Sequence, residues 1–342
     1  MDQGGRRDSP GIHISGGLIS SAVPTIARLP LILLTGFLGA GKTTILNRVL
    51  GAQHRRRVGV IINELGRIDI DTRLIKSRAG DVLELAGGCV CHEVRVQSEL
   101  WAAIAEVARR SRPEVVLIET TGIAEPWSIL DGLEALGDAA PATAAGVVCV
   151  VDAEAGGAQL ARHEEARAQV EAADRILLSK LDLAAPGDVV ALHRQLARRN
   201  PSAERASFPD TEEATAELCP WLLDLRAAAR PARAPHAPHA HGQLAAITYS
   251  DPEPLLAEPL LAVVERLGPA LVRVKGFVHV AGEPRRGFLE RAGLHTELRF
   301  AEPWGADAAR TDLVFIGEGL DAGAIRRQIW ACRAPSVARP GA

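Results

Sequence analysis

The plainest chemistry in the chain sits in Gly36-Phe37-Leu38-Gly39-Ala40-Gly41-Lys42-Thr43-Thr44. Glycines at this spacing let the backbone curl so that successive N–H groups converge on phosphate oxygens, and a helix beginning there adds its positive dipole end. Gly36, Gly39, Ala40, Gly41, Thr43 and Thr44 form the cradle, and Lys42 is placed to reach the β and γ phosphates of a nucleotide. The Thr43 hydroxyl is placed to ligate Mg²⁺. The loop follows the apolar run Leu31-Ile32-Leu33-Leu34-Thr35 and opens a helical pattern through Leu46 and Leu50, the strand–turn–helix context of a P-loop.

Two further stretches suit the same ligand. Glu119-Thr120-Thr121-Gly122 ends a run of β-formers, and a carboxylate at the carboxyl end of a parallel strand can hold the Mg²⁺ shell or orient the attacking water. Gly122 lets the backbone approach the γ-phosphate. Ser179-Lys180-Leu181-Asp182 resembles the Asn-Lys-x-Asp guanine reader of GTPases, with Ser179 in place of Asn. Asp182 keeps the carboxylate that accepts from guanine N1–H and the exocyclic amine, so GTP outranks ATP.

A third chemistry appears at Gly87-Gly88-Cys89-Val90-Cys91-His92. Two thiols and an imidazole on a glycine loop can converge on one Zn²⁺ or Co²⁺ ion. The spacing is tighter than that of a closed structural zinc site and favours an open three-ligand site. Two small buried hydrophobes beside a capping histidine are the plainer alternative. Asn63-Glu64-Leu65-Gly66-Arg67, after the second strand, reads as a nucleotide-sensing switch segment, with a solvated turn as its alternative. Glu64 is its candidate catalytic group.

These residues need elements to hold them. Apolar, β-rich runs at 31–35, 58–62, 82–85, 114–118, 146–151 and 175–178 predict buried strands, and helical periodicity appears at 94–110 and around 160–170. The expectation is an α/β P-loop NTPase domain with a mostly parallel sheet over 29–226, after a flexible extension at 1–28. Residues 227–242 shift to Ala, Pro, Arg and His and read as a linker whose histidines could hold a metal transiently, with solvated histidines as the commoner reading. A smaller α+β domain over 243–334 follows, with strands at 244–249, 271–280, 294–300 and 311–316 and helices at 255–267 and 321–332. No catalytic constellation is read in that second domain, and no internal arginine finger, so slow intrinsic turnover is expected.

Composition narrows the class. The chain has 342 residues, 47% of them hydrophobic and 24% charged, with a net charge of -3, which gives no electrostatic case for nucleic acid or an anionic membrane as partner. Its five cysteines do not form a disulfide framework, which fits a reducing, cytoplasmic compartment. The apolar runs are too short to span a bilayer, and prolines and glycines interrupt any signal-like segment near the start.

Taken together, these motifs make the chain similar to the CobW-like family of metal-handling P-loop GTPases, which includes cobalamin-biosynthesis, zinc-chaperone and nitrile-hydratase-activator proteins. Residues 36–44 match the family P-loop, Glu119-Thr120-Thr121-Gly122 its Walker B element, and 179–182 its base reader. Arg273-Val274-Lys275-Gly276-Phe277 and Leu313-Val314-Phe315-Ile316-Gly317 resemble hallmarks of its C-terminal domain. Three departures stand out. Leu65, Arg67 and Asp69 differ from the family's switch, His92 replaces the third cysteine of its Cys-x-Cys-Cys motif, and the histidine-rich linker is short.

The resemblance implies a GTPase that uses GTP and Mg²⁺ to deliver Zn²⁺ or Co²⁺ to a client metalloprotein or a cofactor-assembly complex. Cys89, Cys91 and His92 would hold that metal, with Glu64 as a fourth ligand once GTP orders the switch. Dimerisation is common in this class, so a homodimer is possible. Two other readings stay open: a nucleotide-dependent activator that docks on a metalloenzyme, and an ATP-dependent small-molecule kinase.

Overall fold

The structure is a computed structural model that describes residues 28–52, 56–63, 82–85, 94–225, 244–292, 295–305 and 308–335. The first strand, β1 (Leu29–Thr35), is central to the first sheet. Its side chains alternate between two cores. Ile32 and Leu34 pack with Ile45, Leu46 and Val49 of helix α1 (Lys42–Gly51), whereas Leu31 and Leu33 pack on the other face with Leu100, Ile104 and Val107 of helix α2 (Val94–Ser111). A strand buried on both faces needs the continuous apolar run this one has.

The remaining strands of this sheet are β2 (Val58–Asn63), β3 (Val82–Leu85), β4 (Val115–Glu119), β5 (Ala142–Asp152), β6 (Arg175–Ser179) and β7 (Glu204–Ser207). They order as β3-β2-β4-β1-β5-β6-β7, and each neighbouring pair is parallel. Parallel pairing forces crossovers over the faces. Those crossovers include α3 (Pro126–Leu136), α4 (Gly156–Arg162), α5 (Glu164–Ala172) and α6 (Pro186–Arg199), and α7 (Glu212–Leu223) follows β7. Both α3 and α6 begin on proline, whose missing N–H costs nothing in a first turn.

One expected helix is divided. The periodicity at 160–170 belongs to α4 and α5, which break at His163, an extended residue with φ -107° and ψ 126°. Its ring stacks on Phe37 of the glycine loop at 4.5 Å between centroids. That tertiary contact takes His163 out of the helical run.

The second sheet is antiparallel. It comprises β8 (Leu244–Asp251), β9 (Leu271–Val278), β10 (Arg285–Ala292), β11 (His295–Pro303) and β12 (Thr311–Glu318), in the order β11-β10-β9-β12-β8. Helices α8 (Ala257–Arg266) and α9 (Ala322–Trp330) cover one face, where Val274, Leu289, Leu313 and Phe315 form a core with Leu260, Val264, Ile325 and Ile329. Strand β10 is rich in charge and was not anticipated. Its other face, with Phe277, Phe288, Val314 and Ile316, joins a second core that contains Phe37, Leu38 and Val151 of the first half. No helix among the described residues is long and apolar enough to cross a membrane.

Candidate functional site

The glycine loop leaves the carboxyl end of β1 between β4 and β5, where a parallel sheet opens a crevice. Gly36 has φ +143°, and a Cβ there would lie 2.3 Å from the Val150 carbonyl oxygen, so no other residue fits. Lys42, only 5% exposed, folds over the loop and donates from Nζ to the Gly36 carbonyl at 2.6 Å. Burial pushes its pKa down to about 8, Arg273 and Lys275 act in the same direction, and Glu119 opposes them.

The Thr43 hydroxyl donates to Glu119 Oε1 at 2.8 Å. Glu119 ends β4 and is itself buried, which raises its carboxyl pKa, while Lys42, Thr43 and Arg273 pull the other way. Its second oxygen, Oε2, is buried with no hydrogen-bond partner among the described residues. Two hard oxygen donors side by side on cleft-lining residues, one with an unsatisfied atom, fit a divalent cation's coordination shell.

Ser179 buttresses the loop from behind, its hydroxyl donating to the Ala40 carbonyl at 2.7 Å. Lys180 stands at φ 55° and pairs with the buried Asp152 carboxylate at 2.7 Å, which also accepts from the Glu154 and Ala155 backbone N–H groups. Gly122 packs on the loop's other flank. A Cβ there would meet Leu38 Cδ2 at 2.5 Å and Leu38 Cα at 2.8 Å.

Gly39, Gly41, Lys42, Thr43, Thr44, Glu119 and Lys180 therefore line one cleft of about 450 Å³. Gly36, Ala40, Gly122 and Ser179 frame it from behind. Asp182 is exposed on the turn after β6, outside the residues that line the cleft. Glu64, Cys89, Cys91 and His92 lie outside the described residues, as do the switch segment from Glu64 onward and the 227–242 stretch. Among the described residues, no three His, Cys, Asp or Glu side chains gather in a metal-binding group. Cys149, in contrast, is core, its thiol pushed up to about 12 by burial.

The second sheet supplies the part that sequence reasoning missed. Arg273, Lys275, Glu290 and Arg299 complete the cleft, a contribution that the sequence reading of the second domain, which found no catalytic constellation there, did not anticipate. The available signal was the alternation in Arg273-Val274-Lys275. It places both cations on one face and Val274 in the opposite core, without saying what the charged face meets.

A glycine loop between a central parallel strand and a helix, with a lysine, a threonine hydroxyl and a neighbouring strand-end carboxylate converging on its mouth, defines a P-loop nucleotide-binding protein. The model for "CobW/HypB/UreG, nucleotide-binding domain" matches residues 30–206, and that for "Cobalamin synthesis protein cobW C-terminal domain" matches 244–333. The chain belongs to the CobW/HypB/UreG family. It is similar to the zinc chaperone CobW of Pseudomonas aeruginosa, at 32% identity over 89% of this chain and 92% of that one. It is also similar to the zinc chaperone YjiA of Escherichia coli, at 30% identity over 86% and 95% of the two chains. A third relative, zinc-regulated GTPase metalloprotein activator 1 of Dictyostelium discoideum, is 28% identical over 82% of this chain and 69% of its own.

Proposed function

We propose that this protein is a GTP-hydrolysing metallochaperone that holds Zn²⁺, or Co²⁺ in its place, and delivers it to a client metalloprotein. The observation that carries the nucleotide half is the convergence of Lys42, Thr43 and Glu119, with Glu119 Oε2 left without a partner among the described residues. Lys42 exchanges the Gly36 carbonyl for β- and γ-phosphate oxygens. Thr43 and Glu119 would hold Mg²⁺, which neutralises charge on those phosphates when bound. Asp182 reads the guanine edge, and its exposed place after β6 leaves it open to a base.

The metal half rests on Cys89, Cys91 and His92, with Glu64 joining from the switch segment, and on the relatives named as zinc chaperones. Two thiolates and a neutral imidazole suit Zn²⁺, and an open fourth position suits release. Metal analysis of untagged protein, with and without a non-hydrolysable GTP analogue, tests this half against Cys89→Ala/Cys91→Ala. Equal metal in both proteins would remove the assignment. Nucleotide competition tests the other half, where ATP preference would favour a kinase.

A further inference from the structure

Arg273 and Lys275 stand two residues apart on β9 and so project from one face of the second sheet. Val274 between them is fully buried in the core under α8 and α9, which fixes the direction of the pair. Phe277 and Phe288, on the same face as the cations, are seated in the cluster that contains Phe37 of the glycine loop. That seating brings Arg273 and Lys275 into the cleft lined by Lys42, Thr43 and Glu119.

The charges there are unbalanced. Among the described residues lining the cleft, five are lysine or arginine and three are glutamate; Lys180 is paired with Asp152 behind the lining, and the positive charge that remains suits a polyphosphate anion. Arg273 is held by Glu290 at 3.7 Å, a long contact through one nitrogen, and Glu290 is shared with Arg299 at 3.5 Å. That contact is longer than the paired nitrogen–oxygen contacts a guanidinium makes with a phosphate. The electrostatic influence of Arg273 on both Lys42 and Glu119 agrees with its place at the phosphate end of the cleft.

Building on the GTPase reading, we propose that Arg273, with Lys275 beside it, is a cation supplied by the second domain to the terminal phosphates of the bound nucleotide. On nucleoside triphosphate binding, Arg273 exchanges Glu290 for γ-phosphate oxygens. Lys42 then holds the terminal phosphate from the loop side and Arg273 from the sheet side. Charge that develops on the transferred phosphoryl group is met by a guanidinium within the same chain. Loss of the γ-phosphate returns Arg273 to Glu290, so the seat of the second sheet senses which nucleotide is bound.

The test uses the full chain, with GTP turnover in Mg²⁺ and binding of fluorescent GDP and a non-hydrolysable GTP analogue. Arg273→Ala is expected to lower kcat by at least ~10-fold, a small fraction of what an arginine finger supplies in trans. It should weaken the analogue by ~5-fold or more while leaving GDP within about twofold, since GDP lacks the oxygens Arg273 meets. Arg273→Lys should recover part of both losses, and Glu290→Gln should tighten the analogue by releasing Arg273. A kcat within about twofold of wild type in Arg273→Ala overturns the inference. So does equal weakening of GDP and analogue in both Arg273 variants, which is the mark of a structural role. A wild-type chain that binds no guanine nucleotide overturns the GTPase reading and this inference with it, whereas normal wild-type turnover with an unaffected Arg273→Ala overturns this inference alone.

Discussion

Replacing Lys42 by methionine should stabilise the nucleotide-free protein while abolishing nucleotide binding. The ammonium is buried, and its pKa falls from an ordinary 10.5 to about 8. At pH 7 it is charged in folded and unfolded chains alike, so the whole difference stands as a penalty on the fold of about 3 kcal/mol. Methionine fills similar space without the charge. The attraction to Glu119 is already contained in that value; part of the gain is offset because the buried Gly36 carbonyl loses its donor, leaving a net gain of about 1–2 kcal/mol, or roughly 3–6 °C in Tm for a domain of this size. Between pH 8 and 10.5 the folded state of the wild type binds fewer protons than the unfolded state, so its stability rises through that window. Lys42→Met lacks this rise. Cys149 and Cys219, pushed up to about 12 and about 11 by burial, make both proteins lose stability above pH 9, so the observable is the difference between the two pH curves. Thermal unfolding by circular dichroism from pH 6 to 10 measures it. Added GTP should reverse the order, because only the wild type gains about 2.7 kcal/mol at a ligand concentration ~100 times Kd. A variant that melts below wild type at pH 7 without nucleotide, or a difference curve flat from pH 8 to 10, refutes the reasoning.

Glu119→Gln keeps the shape of the carboxylate but removes the charge that Thr43 faces and that a bound Mg²⁺ would face. GTP turnover should fall by ~100-fold or more with GDP affinity nearly unchanged, checked by phosphate release and nucleotide titration. Asp182→Asn replaces a double acceptor by a group that also donates, so affinity should move from guanine toward xanthine nucleotides in a competition assay. Gly122→Ala drives a Cβ to within 2.5 Å of Leu38 Cδ2 and 2.8 Å of Leu38 Cα. Because one of those atoms is backbone of the phosphate loop, it should destabilise by about 1–3 kcal/mol and weaken GTP binding, as read by urea unfolding and titration.

The parts legible in the sequence are those whose physics is local. The loop at 36–44 announces itself because curled backbone, phosphate contact and helix start occupy consecutive residues, and the doubly buried strands announce themselves by unbroken apolar runs. Ser179, which the sequence places in the base reader, also braces the loop through the Ala40 carbonyl, a contact 139 residues away that no spacing encodes. His163 reads as mid-helix by periodicity and is drawn out by Phe37. Strand β10 escaped because Arg285-Arg286-Gly287-Phe288-Leu289-Glu290-Arg291-Ala292 shows little apolar alternation. Glu290 faces the cleft beside Arg273, whereas Arg291 turns to the opposite face and donates to the Val264 carbonyl at the end of α8, so the pattern makes sense only in three dimensions.

What holds the second sheet over that cleft decides how tightly the two halves are linked. Among the described residues, two histidine–carboxylate contacts cross between them, His295 to Glu154 at 2.8 Å and His163 to Glu318 at 3.3 Å. The His295 side chain is more than half exposed, and burial keeps the pKa of His163 below the ordinary imidazole value despite Glu318. Contacts of this kind contribute about 0–1 kcal/mol each. Phe277, Phe288, Val314 and Ile316 are at most 7% exposed, and burying a side chain of that size contributes roughly 1.5–3 kcal/mol. The apolar seat therefore outweighs these polar contacts, and salt or moderate pH change should leave the two halves together. Phe37 belongs to that seat and is also the second residue of the phosphate loop. Any rearrangement of the loop on losing a phosphate acts directly on the surface that the second sheet rests upon.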